Sequence, residues 1–299
     1  MKRFFALILL PLPLVAPATL GAQPAAHAKP SAAAVAPAPL PDIPTLLHKV
    51  ELARQHNASV MDNYTFDATT NTRDANGHTK TDVTEITYIN GVRLERALVR
   101  DGKPLPPEDA EKEKERSDKA IAKAKERIAK AESKGEVTDA NGETLISLDR
   151  LLQLYSVFNA RREMLNGRST IVFDFTGNRS VKPKGIPEGV MQSFSGTIWI
   201  DEKDSEIAKM TGTAAQGYRA GWGLIVNIGK GTGGTVQFTP VNNEVWLPSR
   251  LDGQGHARFL LVDDALDGTE STVFSNFHKF QVTVDQTVSA PPPSALSKP

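Results

Sequence analysis

The side chains able to do chemistry in this chain are its grouped acids, a few histidines and one glycine-rich run. Asp201, Glu202 and Asp204 stand together, as do Asp263 and Asp264, and a carboxylate pair is what glycoside chemistry needs. Both groups fall where turns are expected, and acids gather in turns for conformational reasons alone. His78, His256 and His278 lie in or beside different expected strands, and His48 and His56 read as partly exposed polar residues of a helix. Gly229-Lys230-Gly231-Thr232-Gly233-Gly234 has the composition of a phosphate cradle. A P-loop, however, runs from a strand through G-x-x-x-x-G-K-[ST] into a helix N-terminus, and here a strand is expected on either side. The run reads as a hairpin loop. No H-E-x-x-H, no G-x-S-x-G elbow and no cysteine occurs. With no nucleophile–base constellation to name, the sequence predicts no enzymatic activity, no cofactor and no metal.

The 299 residues carry 35 basic and 35 acidic side chains, and this balance argues against a nucleic-acid binder, which concentrates a basic surplus on one face. At the N-terminus Lys2-Arg3 precede an apolar run from Phe4 to Val15, and small residues follow through Ala22. That is the pattern of a secretory signal peptide over 1–22, with Ala28 as a competing cleavage site. The run is too short and too proline-rich to span a bilayer, so no transmembrane anchor is expected after cleavage. Without cysteine there is neither a disulfide nor a lipid-bearing residue, so the expected product is soluble, periplasmic and monomeric. Residues 23–41, nearly all Ala and Pro, read as a tether, and 286–299 as a disordered tail.

The elements that must position any site begin at Asp42. Asp42 caps an expected helix with Ile43, Leu46, Leu47, Val50 and Ala53 on one face, fraying at Asn57. Tyr64–Arg73, Lys80–Ile89 and Val92–Arg100 read as an antiparallel meander turned by Asn76-Gly77 and Asn90-Gly91. Glu108–Lys134 holds 17 charged residues in 27 and predicts a solvated helix over a thin seam that includes Ile121. Ser147 then caps a second inserted helix over 147–166, with Leu148, Leu151, Leu152, Tyr155, Phe158 and Leu165 on its buried face. Thr170–Thr176 alternates as a strand, and Gly177–Gly189 reads as loop. Ser195–Ala214 is a hairpin about Glu202-Lys203-Asp204-Ser205. Tyr218–Gly229, Thr235–Thr239, Glu244–Arg250, Gln254–Asp263 and Thr269–Val284 complete about ten strands, with Asp252-Gly253 and Asp267-Gly268 among the turns. The class is α+β, one domain over 42–285.

Gly196-Thr197-Ile198-Trp199-Ile200-Asp201 with Ile207-Ala208-Lys209-Met210, Asn243–Arg250 (N-E-V-W-L-P-S-R) and Phe274–Phe280 together resemble the LolA/LolB family of periplasmic lipoprotein carriers, relatives of the RseB/MucB sensor domain. The resemblance implies a curved antiparallel half-barrel whose concave face is covered by the N-terminal helix and two inserted helices. It further implies an apolar cavity for a lipid or lipoprotein acyl chains, with Leu151, Tyr155, Phe158, Ile171, Phe173, Phe175, Trp222 and Leu224 as lining residues. The charged helix 108–134 departs from the small carriers. It motivates the alternative, an interaction or sensor module that binds another envelope protein.

Overall fold

A computed structural model describes residues 39–89, 92–134, 146–259 and 264–280. The signal and tail segments, the Asn90-Gly91 turn and Asp263 lie outside these residues. Helix α1 (Ile43–Met61) starts as expected, with the Asp42 carboxylate accepting from the Thr45 amide at 3.1 Å. It does not fray at Asn57. The Asn57 side chain is held by a strand, and Val60 and Met61 pack on the cluster around Tyr64 and Phe66, so the helix gains another turn.

Strands β1 (Tyr64–Asp74), β2 (Thr79–Ile89) and β3 (Val92–Arg100) form the meander, followed by the two-residue β4 (Lys103–Pro104). Helix α2 (Pro107–Glu132) is the charged segment, and α3 (Leu148–Leu154) starts on Ser147. Next come β5 (Tyr155–Leu165), β6 (Arg168–Gly177), α4 (Ile186–Gln192), β7 (Phe194–Asp201) and β8 (Ile207–Ala214). Then β9 (Tyr218–Ala220) and β10 (Val226–Ile228) flank a 3-10 turn, before β11 (Gly233–Val241), β12 (Val245–Phe259) and β13 (Asp264–Lys279). The strands make one antiparallel sheet in the order β4-β3-β2-β1-β13-β12-β11-β8-β7-β6-β5, open at both edges, with the β9–β10 pair attached to β12.

Four expectations are corrected. The helix over 147–166 ends at Leu154, and Tyr155–Leu165 is a strand. Tyr155, Val157 and Phe158 are aromatic or β-branched, and the same residues that satisfy a three-to-four spacing also alternate, with Tyr155 in and Phe158 out. Asn166-Gly167, where that expected helix would end, is instead a two-residue hairpin turn with both φ positive (51° and 79°). The last part of the expected loop, residues 186–189, belongs to helix α4, which has Pro187 in its first turn. Tyr218–Gly229 is a hairpin of two short strands, because Gly221 and Trp222 take positive φ (58° and 60°). Finally, Asp252-Gly253 lies inside β12 and Asp267-Gly268 inside β13, so neither is a turn.

The run through Gly253 has a structural reason. Gly196 faces Gly212, Gly212 faces Gly234 and Gly234 faces Gly253, a row of glycines across β7, β8, β11 and β12. A row without side chains lets a sheet bend sharply. The bend is visible in a contact between distant strands. On a flat sheet β12 and β6 lie four spacings apart, roughly 19 Å. Yet the Arg168 guanidinium at the start of β6 sits 5.3 Å from the Trp246 ring centre on β12. The sheet curls, and its concave face is turned toward α1.

Candidate binding face

The concave face is built by alternation. Ile171, Phe173 and Phe175 on β6, Ile198 and Ile200 on β7, and Ala208 and Met210 on β8 point the same way. Leu46 and Val50 of α1 lie on Ile171, Phe173 and Ile200. Leu154, Tyr155 and Phe175 form a neighbouring cluster with Leu151 and Met191 against it. The Tyr155 ring meets Phe175 edge-on at 5.2 Å, and its hydroxyl donates to the Met191 carbonyl at 2.6 Å. Of the expected lining residues, therefore, Ile171, Phe173, Phe175, Tyr155 and Leu151 are brought together, as packed interior and not as the wall of an open cavity. Two shallow pockets among the described residues lie away from this cluster and are lined by polar and charged residue types. The larger, about 430 Å³, runs over Thr72, Thr79, Gln254 and Thr269.

Phe158, Trp222 and Leu224 are not on this face. Phe158 is 52% exposed on the outward side of β5, while Trp222 is 101% and Leu224 71% exposed at the β9–β10 turn. Their apolar character suggested lining, but the strand assignment of β5 and the left-handed turn at Trp222 aim them at solvent.

At the open end of the face a polar cluster joins the hairpin acids to α1. Arg168 donates to Asp201 at 2.5 and 2.8 Å and to Asp204 at 2.6 Å. Trp246 donates its indole N–H to Asp204 at 3.1 Å. Asn57 of α1 takes both backbone groups of Trp246, donating to its carbonyl at 2.8 Å and accepting from its amide at 2.6 Å. Burial alone would push the Asp201 carboxyl up, but Arg168 and the amides of Asp204 and Lys203 overcome it and hold the group below its usual range. Glu206 is the opposite case. It is 7% exposed, and burial pushes its carboxyl up to about 7 against a weak opposing pull from Arg54, with Asp204 adding to the rise. The expected paired acids are thus consumed in structure, since Asp201 and Asp204 share one guanidinium.

The other chemical candidates are similarly occupied. In the glycine-rich run, Gly229 donates to the His256 carbonyl at 2.7 Å, Gly231 to Ala214 at 2.8 Å and Thr232 to Gly229 at 3.1 Å. Amides already spent on carbonyls cannot cradle a phosphate. On the outer face Asp174 accepts from Asn159 and Thr197, and Glu163 accepts from Arg161 and Trp199. His78 pairs with Asp74 and His256 with Asp267, at separate places. No group of three His, Asp or Glu among the described residues is placed to hold a metal ion. No described helix is long and apolar enough to cross a membrane.

Read from sequence alone, Arg168 has no role and Asn57 only that of a fraying helix end. Trp246, inside the N-E-V-W-L-P-S-R segment, is the signal that could have led to this end of the face.

No protein-family model and no curated protein sequence matches the chain. The fold is similar to several solved structures. A domain from Vibrio parahaemolyticus assigned to outer membrane lipoprotein sorting is 12% identical, over 81% of this chain and 95% of that one, with a TM-score of 0.35. The MucA/MucB complex of Pseudomonas aeruginosa gives 10% identity, 80% and 99% coverage and a TM-score of 0.25. A LolA superfamily protein from Nitrosomonas europaea is 10% identical over 78% of this chain and 93% of that one, TM-score 0.31, so LolA-superfamily and MucB proteins stand among the structures this chain is similar to.

Proposed function

We propose that this chain is a periplasmic binding protein that takes a lipid or lipoprotein acyl chain on the concave face of its sheet, with α1 as a movable cover. The observation that carries this reading is the uneven attachment of α1. Its C-terminal half is pinned through Asn57, while the buried contacts of its N-terminal half are Leu46 and Val50 on Ile171, Phe173 and Ile200. Lifting that half exposes Leu46 and Val50, a loss of about 3–6 kcal/mol for these two side chains alone, and also uncovers Ile171, Phe173 and Ile200 beneath them. Burying methylenes regains about 0.8 kcal/mol each, so it takes a long acyl chain, lying where the helix lay, to offset the loss. The export signal read at the N-terminus supports the compartment.

Native mass spectrometry of the protein purified from envelope extract tests the reading. A lipid-sized adduct that is lost on delipidation and regained on adding a long-chain acyl ligand is expected. A mass equal to the bare chain, together with no change in Tm on adding a long-chain acyl ligand, sinks it.

A second reading, an interaction module, is favoured by α2. It touches the sheet through Ala120 and Ile121 on Leu94 and through Arg100 to Glu113 at 2.5 Å, leaving Lys112, Glu115 and Lys119 exposed. Replacing 107–132 by a flexible linker should then abolish capture of an envelope partner with a small loss of stability. Partner capture that survives the replacement removes α2 as the docking element.

A further inference from the structure

Trp222 has no structural reason to be where it is. It is fully exposed, it sits at φ 60° and it crowns the turn between β9 and β10. A bulky side chain in the left-handed region is unfavourable, and strain of this kind clusters at functional sites. Leu224, two residues on in the same turn, is 71% exposed. The inward side of the two strands is well anchored, with Val226 and Ile228 buried against Phe194, Ala257 and Phe259. The hairpin is therefore a firm stalk with an apolar tip.

The stalk's outward face is cationic. Asn227 pairs with Arg219 of β9 on one side and with Arg258 of β12 on the other, so the two guanidiniums share that face one strand apart from Asn227. Both are exposed, and neither forms an ion pair with a described residue. On β13 the residue opposite Arg258 is Ala265, Asp267 lies further from the tip and faces His256, and Asp264 stands one position nearer the tip, opposite Phe259. Arg219 lies on β9 three residues before Trp222, with the left-handed turn at Gly221 and Trp222 carrying the chain from the strand to the tip. An aromatic ring leading, an aliphatic residue beside it and two cations on the strands behind is the chemistry of an interfacial anchor on an anionic bilayer.

We propose that the β9–β10 hairpin docks this protein reversibly on an anionic membrane surface, with Trp222 and Leu224 entering the headgroup boundary and Arg219 and Arg258 facing lipid phosphates. The contact is independent of what the concave face holds.

Vesicle flotation of the full mature chain at about 0.1 M salt tests it, using vesicles of 30% phosphatidylglycerol in phosphatidylcholine against phosphatidylcholine alone. Binding to the anionic vesicles is expected, with a blue shift in tryptophan emission. Trp222→Ala should lower the affinity at least ten-fold and remove the blue shift. Arg219→Gln with Arg258→Gln should lower it by roughly twenty-fold, since each cation near such a surface is worth about a five-fold change. All three positions are exposed, so circular dichroism and Tm of the variants should match the parent. Absence of binding to anionic vesicles, or binding that Trp222→Ala leaves unchanged, overturns the proposal. So does equal binding to monomeric short-chain phosphatidylglycerol below its micelle concentration, which would mean a headgroup pocket instead of a surface.

Discussion

Arg168 holds Asp201 with two of its guanidinium nitrogens, at 2.5 and 2.8 Å, and Asp201 is 1% exposed. The pair ties the start of β6 to the end of β7, and through Asp204 and Trp246 it reaches β12. Removing one partner of a buried pair leaves the other charge unpaired, which typically costs about 3–5 kcal/mol. Arg168→Met should therefore destabilise the protein by that order, read as a fall in urea midpoint with unchanged slope. A loss under about 1 kcal/mol would show that water replaces the guanidinium.

Glu206 predicts a pH dependence opposite to that of most carboxylates. Its folded value of about 7 lies above the ordinary 4.5, so the folded protein binds this proton more tightly than the unfolded chain. Its contribution is complete below about pH 4.5 and is lost as pH rises through 7, by about 3 kcal/mol at most. Glu206→Gln should flatten the slope between pH 5 and 8 and raise stability at pH 8. Equal slopes in parent and variant would mean that Arg54 and solvent already neutralise the charge.

The glycine row makes a contrast within one structure. A β-carbon on Gly196 would stand 1.8 Å from the Thr211 carbonyl oxygen, whereas one on Gly253 would meet the tip of Leu266 at 3.8 Å. Gly196→Ala should prevent folding or cost more than about 3 kcal/mol, because backbone must shift. Gly253→Ala should stay within about 1 kcal/mol. Thermal melts of the two variants side by side decide it, and equal losses would deny the close approach.

Asn57 does for the Trp246 backbone what a neighbouring strand does elsewhere. Asn57→Ala leaves an amide and a carbonyl without partners, at about 1–3 kcal/mol each when buried. Hydrogen exchange should show the Trp246 amide opening sooner in this variant while the amides of β6 and β7 keep their protection. Loss of protection across the whole sheet would mean that α1 is integral to the core and cannot serve as a cover.

Much of the fold was legible because its signals are local. The Asp42 cap, the Asn76-Gly77 hairpin and the alternation of Ile171, Phe173 and Phe175 each need only their neighbours. The failures came where one residue pattern serves two periods, or where a turn dipeptide has another use. Tyr155 and Phe158 satisfy a helical spacing, yet an edge of the sheet was there to take them. Asp252-Gly253 looks like a turn, but its glycine completes a row contributed by β7, β8 and β11. The role of Arg168 was hidden for the same reason: its partners Asp201, Asp204 and Trp246 are assembled only when the sheet curls. Five of the eight expected lining residues are packed interior, and Phe158, Trp222 and Leu224 misled because apolar residues were assumed to face inward.

The pairing of β1 with β13, Tyr64 against Lys279, joins the first strand of the domain to the last. Nearly the whole chain must be present before that ladder can close, so contacts of this kind fold slowly. Until the C-terminal strand arrives, β1 and β12 both wait with bare edges. A nascent chain is thus kept from premature closure by its own strand order, and trimming β13 would expose two sticky edges at once.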